Sequence, residues 1–223
     1  MKNVLILSLA LGVVCTVAAT VLGFAELNTR KERATAKRES DLAAVKKILP
    51  DFDNNPLADK VTKKTDASPV TIMKAKRNDN VVAYAVQASA QGYGGKLTVM
   101  VGVKPDGEIL HVVVLPGHQE TPGLGTKATN RRATKTITDI LDKDADKNQK
   151  QTGGLAPNKY LQQYAQHNLL RKTTYKVKKD GGTIDAVSGA TISSRAVARA
   201  VSQAAIGFQA FLENDPKNST AID

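Results

Sequence analysis

Tryptophan is absent from these 223 residues, and only four phenylalanines and five tyrosines stand in its place. So few rings, with no zinc-finger or similar signature, argue against nucleic-acid binding, in which bases stack on aromatic side chains. There is one cysteine, Cys15, so the chain makes no internal disulfide and the redox compartment is not legible from cysteine usage. The three histidines, His111, His118 and His167, are too scattered for metal-ligand spacing, and no metal site is expected. No P-loop, no G-x-S-x-G elbow and no GxGxxG after a strand occurs. Standard hydrolase and dinucleotide-fold readings therefore have nothing to rest on, and no catalytic side chain is expected.

Acidic residues are also scarce, 21 against 32 lysines and arginines, which leaves a net charge of +11. That balance points to an acidic partner: nucleic acid, anionic lipid or a phosphorylated ligand. The poverty in aromatics disfavours the first. Otherwise the composition, 41% hydrophobic and 24% charged, is that of a folded protein with enough length for a core.

What is present begins with an uncharged apolar run over residues 4–25, interrupted only by Ser8, Thr16 and Thr20. As a helix it reaches about 33 Å, enough to cross a hydrocarbon core of roughly 30 Å. A cleaved signal peptide is the competing reading, with Gly23-Phe24-Ala25 as its small-x-small site, but the run exceeds the usual apolar core of about 7–15 residues. A retained transmembrane anchor fits better. Arg30, Lys31, Arg33, Lys37 and Arg38 follow the run while only Lys2 and the amino terminus precede it, so the positive-inside rule taken literally puts the remainder in the cytoplasm.

The pattern divides the chain into a short end (1–3), the transmembrane helix (4–25), a juxtamembrane helix and polar linker (26–69), a folded domain (70–213) and a polar tail (214–223). Leu42, Val45, Ile48 and Leu49 at helical spacing, stopped by Pro50, predict the juxtamembrane helix. Within the domain, β-branched runs at 70–75, 81–88, 97–104 and 108–115 predict strands, the last two joined by the turn Pro105-Asp106-Gly107. Helices are predicted over 128–141 and 158–167, with an exposed loop over 142–157 between them. Asp180-Gly181-Gly182 signals a second hairpin. A final helix shows Val197, Ala200, Val201, Ala204, Phe208, Phe211 and Leu212 on one face. The domain is read as α+β, an antiparallel sheet packed with helices.

Ahead of that helix stands Asp185-Ala186-Val187-Ser188-Gly189-Ala190-Thr191-Ile192-Ser193-Ser194. A tight turn opening onto a helix suits a phosphate, because the first backbone N–H groups lack partners and the helix dipole favours negative charge. Ser188, Thr191 and Ser193 offer hydroxyls, Gly189 and Ala190 leave room, and Arg195 and Arg199 are placed to add positive charge. Local physics leaves a second reading open, in which Ser193 or Ser194 simply caps the helix.

Two other segments bear on the choice: Gly92-Tyr93-Gly94-Gly95 before a strand, and Glu120-Thr121-Pro122-Gly123-Leu124-Gly125 in the loop after one. With Asp185-Ala186-Val187-Ser188-Gly189-Ala190-Thr191, in this order, they resemble the FMN-binding domain family found in the G subunit of the Rnf electron transport complex and in the C subunit of the sodium-translocating NADH:quinone reductase. The resemblance covers roughly residues 70–212. It implies that a flavin transferase esterifies FMN through its phosphate to the hydroxyl of Thr191, with Ser188, Gly189, Ala190 and Ser193 around the phosphate. It further implies that Tyr93 and Gly94 lie near the isoalloxazine ring, that Glu120 and Thr121 give polar contacts, and that Leu124 and Gly125 form an apolar shelf. The residues alone leave Tyr93 open as a core side chain and Glu120 as a surface acid.

Family members often carry tryptophan and phenylalanine where this chain has Tyr160 and Tyr164. The short chain and compact linker favour the Rnf protein. The resemblance then implies an electron carrier between ferredoxin and NAD in an ion-translocating oxidoreductase of the bacterial inner membrane, with other Rnf subunits, a flavin transferase and membrane lipid as partners. It places the domain on the periplasmic side, against the literal charge rule. The alternatives are the quinone reductase counterpart, a stand-alone flavinylated shuttle, and a membrane-tethered module that binds a phosphorylated ligand without redox chemistry.

Overall fold

A computed structural model describes residues 2–65, 68–130, 155 and 158–214. The chain divides into two compact units, Met1–Asp41 and Leu42–Asp223.

Helix α1, Lys2–Ile48, runs unbroken through the apolar segment and the charged stretch after it. Its first part is long and apolar enough to cross a membrane. The large apolar side chains described between Val4 and Leu27 are exposed, Leu9 at 72%. An apolar surface of that extent calls for a covering phase. The few hydroxyls in the run are already satisfied within the helix: Ser8 donates to the Val4 carbonyl at 2.9 Å, Thr16 to Gly12 at 2.8 Å and Thr20 to Thr16 at 2.7 Å. Such back-bonding lets a hydroxyl sit in a medium that offers no water. Beyond the run, Glu26 pairs with Arg30 at 3.5 Å and Arg33 at 3.1 Å.

The second unit is built on a five-stranded antiparallel sheet in the order β1-β2-β3-β4-β5: Val61–Lys64, Pro69–Arg77, Asn80–Gln91, Lys96–Val103 and Ile109–Val114. Four strands fall on the predicted runs. Strand β1 lies in the stretch expected to be a linker and pairs Val61 with Ile72 and Lys64 with Pro69. Asn78 and Asp79, both with positive φ (51° and 63°), make the two-residue turn between β2 and β3. That conformation matches the twist of paired strands, and asparagine and aspartate tolerate it well. The expected turn between β4 and β5 is closed by Gly107 N–H to the Lys104 carbonyl and Lys104 N–H to the Glu108 carbonyl, both at 2.9 Å.

Period-two alternation splits the strands between two cores. On one face Val70, Ile72, Tyr84, Val86, Leu97, Val99 and Val101 pack against α4, Thr191–Glu213, through Val197, Val201, Phe208 and Phe211. Gly207 lets helix and sheet approach closely, since a Cβ there would stand 2.6 Å from that of Val70. Met73, Ala75, Ala83, Ala85 and Met100 form the other face, covered by Val45, Ile48 and Leu49. The last turn of α1 presses the Ile48 carbonyl onto Gly102, where a Cβ would sit 2.6 Å away.

After β5 come α2, Gly125–Thr129, and α3, Lys159–Gln162, the latter continued by a 3-10 turn at Gln163–Gln166. Asn158 joins the two helices. Its Oδ1 accepts from Tyr160 and Leu161 N–H at 3.0 Å, while its Nδ2 donates to the carbonyls of Lys127 and Asn130. The remainder of the helix expected over 128–141, nearly all of the 142–157 loop and the tail from 215 lie outside the described residues.

The expected second hairpin does not form. Val177 and Ile184 make a parallel bridge around a 3-10 turn at Lys178–Asp180. Lys178 N–H donates to Ile184 and Ile184 N–H to Lys176, so the chain circles instead of reversing. Gly182 permits it, because a Cβ there would overlap the Lys176 carbonyl.

Candidate functional site

Three loops meet at one end of the sheet. The first, 92–95, links β3 to β4 and is closed by Gly92 N–H to the Gly95 carbonyl at 2.8 Å. The second, 117–125, leaves β5 and enters α2, with Thr121 O accepting from Leu124 and Thr126 N–H at 3.2 Å. These two loops pack backbone against backbone: a Cβ on Gly94 would overlap the Gln119 carbonyl oxygen. The third, 185–190, feeds α4. It turns through Gly189 (φ 78°), with Ala190 N–H donating to Val187 O at 3.0 Å.

Glu120 binds the three together. Only 5% exposed, its Oε1 accepts from Tyr93 N–H at 3.1 Å and Gly94 N–H at 3.4 Å, and its Oε2 accepts from the Ser193 hydroxyl at 2.5 Å. Glycine is needed on either side of the carboxylate, for a Cβ on Gly92 or Gly125 would collide with its oxygens. The open reading of Glu120 as a surface acid is thus corrected. So is that of Tyr93 as core, since its side chain is 69% exposed.

Between the loops lies a cleft of about 480 Å³, lined by Tyr93, Glu120, Thr121, Leu124, Gly125, Gly189, Ala190, Thr191, Ile192 and Ser193. Nine residues expected from the sequence line it, while Gly94 stands behind it against Gln119 and Ser188 is exposed outside the lining. Ile192, half exposed on the side of α4 away from the apolar stripe, was not among the expected residues. A β-branched residue in the first turn, off that stripe, is the signal that identifies it.

The helix end itself decides the capping question. Ala190 occupies the N-cap of α4, and no side chain caps the helix. Ser193 and Ser194 are inside the helix and turned to other partners: Ser193 to Glu120, and Ser194 as acceptor from Val187 N–H at 3.1 Å. The capping reading is therefore corrected, and the first-turn N–H groups are left without a capping side chain. Thr191 is the half-buried hydroxyl at this end that lines the cleft.

Arg195 does not supply the expected charge there. Its guanidinium grips Asp180 with two bonds of 2.5 and 2.7 Å, which holds the Asp180 carboxyl below the usual carboxylate range. Arg195 and Arg199 line a different groove with Tyr175, Lys176 and Ile206. Asp185 of the same motif is likewise engaged, by Lys178 at 2.8 Å and by the Gln163 amide through its backbone.

Beneath the cleft Tyr160 donates to the Ser194 carbonyl at 2.7 Å and bonds the Tyr164 hydroxyl at 2.8 Å. Burial raises both phenols above their ordinary value. On the 117–125 loop, burial lowers the His118 imidazole and the Glu120 charge partly opposes it. Its Nδ1 is buried without a hydrogen-bond partner.

An apolar rim of Tyr93, Leu124 and Ile192, each 47% exposed or more, beside an uncapped helix end offers one surface for a flat ring and another for a phosphate. This is the class of a flavin-mononucleotide-binding domain, and the model of the FMN-binding domain family matches residues 92–206. The G subunit of the ion-translocating oxidoreductase complex from Stutzerimonas stutzeri is 33% identical over 207 residues, 91% of this chain and 79% of that one. The G subunit from Haemophilus influenzae (strain 86-028NP) is 32% identical over 200 residues, 88% and 84% of the two chains. The chain belongs to this family of FMN-binding subunits.

Proposed function

We propose that this protein is the membrane-anchored flavin carrier of an ion-translocating oxidoreductase complex, that FMN is joined by its phosphate to the Thr191 hydroxyl, and that a flavin transferase makes the bond from FAD, the hydroxyl oxygen displacing AMP from the FMN phosphorus. The observation that carries the reading is the state of the hydroxyls around the turn. Ser193 and Ser194 are buried and engaged, Ser188 is outside the cleft, and Thr191 is in it.

The residues fit the group. The N–H groups at the start of α4, which no side chain caps, would hold the phosphate oxygens, and the small residues Gly189 and Ala190 would let a diester and a transferase reach the side chain. Tyr93, Leu124 and Ile192 would flank the ring. When bound, the flavin supplies the redox chemistry, and the protein's part is to bind, orient and tune it. No side chain has to act as acid, base or nucleophile in turnover.

The G-subunit relatives support placing the carrier within a complex, and the resemblance to Rnf supports ferredoxin and NAD as the ends of the electron path. A covalent bond suits a domain on the periplasmic side of the inner membrane, where a dissociated cofactor would be lost. The charge rule does not prevent that placement, because long domains translocate largely regardless of flanking charge. In this reading residues 4–25 are the anchor, in contact with lipid.

The test is co-expression with a flavin transferase, denaturation, and inspection of the gel for flavin fluorescence. The wild-type band is expected to fluoresce and the Thr191→Val band to be dark. A dark wild-type band, or equal brightness in Thr191→Val, overturns the proposal.

A further inference from the structure

Glu120 lies outside the turn that carries Thr191, yet its carboxylate makes three hydrogen bonds in the cleft. A carboxylate is costly to bury and is tolerated where donors compensate it. Here the donors come from all around it: Tyr93 N–H and Gly94 N–H from the first loop, with Ser193 Oγ from α4, converging on a residue of the second. Gly92 and Gly125 lack side chains where one would collide with its oxygens. The cleft lining contains no lysine or arginine, so no neighbouring cation in that lining neutralises the charge. Arg195 is held by Asp180 at the other groove.

We infer that Glu120 is a positioning residue whose negative charge also tunes the bound flavin, holding it at a lower reduction potential than the same cleft would without that charge. The inference rests on the flavin reading. Its physical basis is that reduction adds negative charge to the ring, and a fixed anion in a poorly solvated site opposes that addition. The three hydrogen bonds spread the charge without cancelling it. They also fix its place, so that the effect is constant from one molecule to the next.

Glu120→Gln separates charge from shape. Its side-chain oxygen can still accept from Tyr93 and Gly94, and its amide nitrogen can donate to the Ser193 hydroxyl, which turns from donor to acceptor. Ser193→Ala does the converse, keeping the carboxylate and deleting one donor. The experiment is a spectroelectrochemical titration of the full chain, flavinylated by co-expression and purified in detergent, for the parent and both variants. Glu120→Gln is expected to shift the midpoint potential upward, and Ser193→Ala to shift it downward.

A midpoint for Glu120→Gln equal to or below that of the parent overturns the inference. So does a rise in Ser193→Ala as large as that in Glu120→Gln, because loosening of the site would then explain both. If Glu120→Gln fails to fold or to load flavin, Ser193→Ala decides alone: deleting a donor leaves the charge less compensated, so a fall in midpoint supports the inference and an unchanged or raised value overturns it. Absence of flavin from the parent chain is a separate outcome that overturns the functional reading itself.

Discussion

The Ser193 hydroxyl donates to Glu120 Oε2 at 2.5 Å, linking the loop after β5 to the first turn of α4 across 73 residues of sequence. One hydroxyl of the turn is thereby consumed in holding the site together. Flavin attachment should follow that division of labour. Thr191→Ser is expected to retain the fluorescent band, since a primary hydroxyl remains in the cleft, and Ser188→Ala and Ser193→Ala should retain it as well. Ser193→Ala should cost about 1–3 kcal/mol of stability, because the buried carboxylate loses a donor. Gel fluorescence and thermal melts read the two effects separately.

The contact between Gly94 and Gln119 predicts a different failure. A methyl group at Gly94 would overlap the Gln119 carbonyl, so the two loops have to separate. Gly94→Ala should destabilise the domain by about 2 kcal/mol or more, lowering Tm by roughly 4–8 °C, with flavin loading reduced in step. Gly12→Ala is the control, since nothing lies within 4 Å of a Cβ there. A Tm for Gly94→Ala equal to that control's would show that the loops are not packed as described.

Much of the fold could be read from the sequence because its signals are local. Alternating β-branched residues mark β2 to β5, and Pro105-Asp106-Gly107 marks a turn by its own chemistry. The cleft was legible for a similar reason, as each of its three loops carries at least one glycine of its own. What was missed depends on distant partners. Strand β1, Val-Thr-Lys-Lys, is a polar edge strand and shows its identity only through pairing with β2. Asp180-Gly181-Gly182 has hairpin chemistry, but hydrogen bonds from Lys178 N–H to the Ile184 carbonyl and from Ile184 N–H to the Lys176 carbonyl carry the chain round in the same direction. Arg195 stands close in sequence to the turn, but its guanidinium is bound to Asp180, and the burial of Glu120 follows from loops far apart in sequence.

Two histidines give the domain a pH dependence of definite sign. Burial lowers His118, against an opposing effect of Glu120, and burial together with Lys172 lowers His167. Each therefore takes up a proton in the unfolded chain at about pH 6.5, before it does so in the folded one. Their contribution to stability is complete above about pH 6.5 and is lost as pH falls below it toward the folded values. Denaturant melts between pH 5 and 7 should show stability rising with pH. His118→Asn combined with His167→Asn should flatten that slope, and an unchanged slope would assign it to other groups.

The anchor can be tested with the one native cysteine. Cys15 is exposed and lies in the middle of the apolar run of α1, so in a membrane it is surrounded by lipid. In intact bacteria and in washed membranes a charged, impermeant maleimide is expected to leave Cys15 unlabelled, and denaturation in detergent should expose it. The chain should stay with the membrane through alkaline carbonate extraction. Leu11→Arg with Val14→Arg should oppose insertion by about 2.5–3.5 kcal/mol per residue and release protein into the soluble fraction. The side follows from a second probe: with Cys15→Ser as background, Lys64→Cys on exposed β1 should be labelled by the impermeant reagent once the outer membrane is opened. Labelling only after the inner membrane is broken would place the flavin domain in the cytoplasm, and the literal charge rule would then be right.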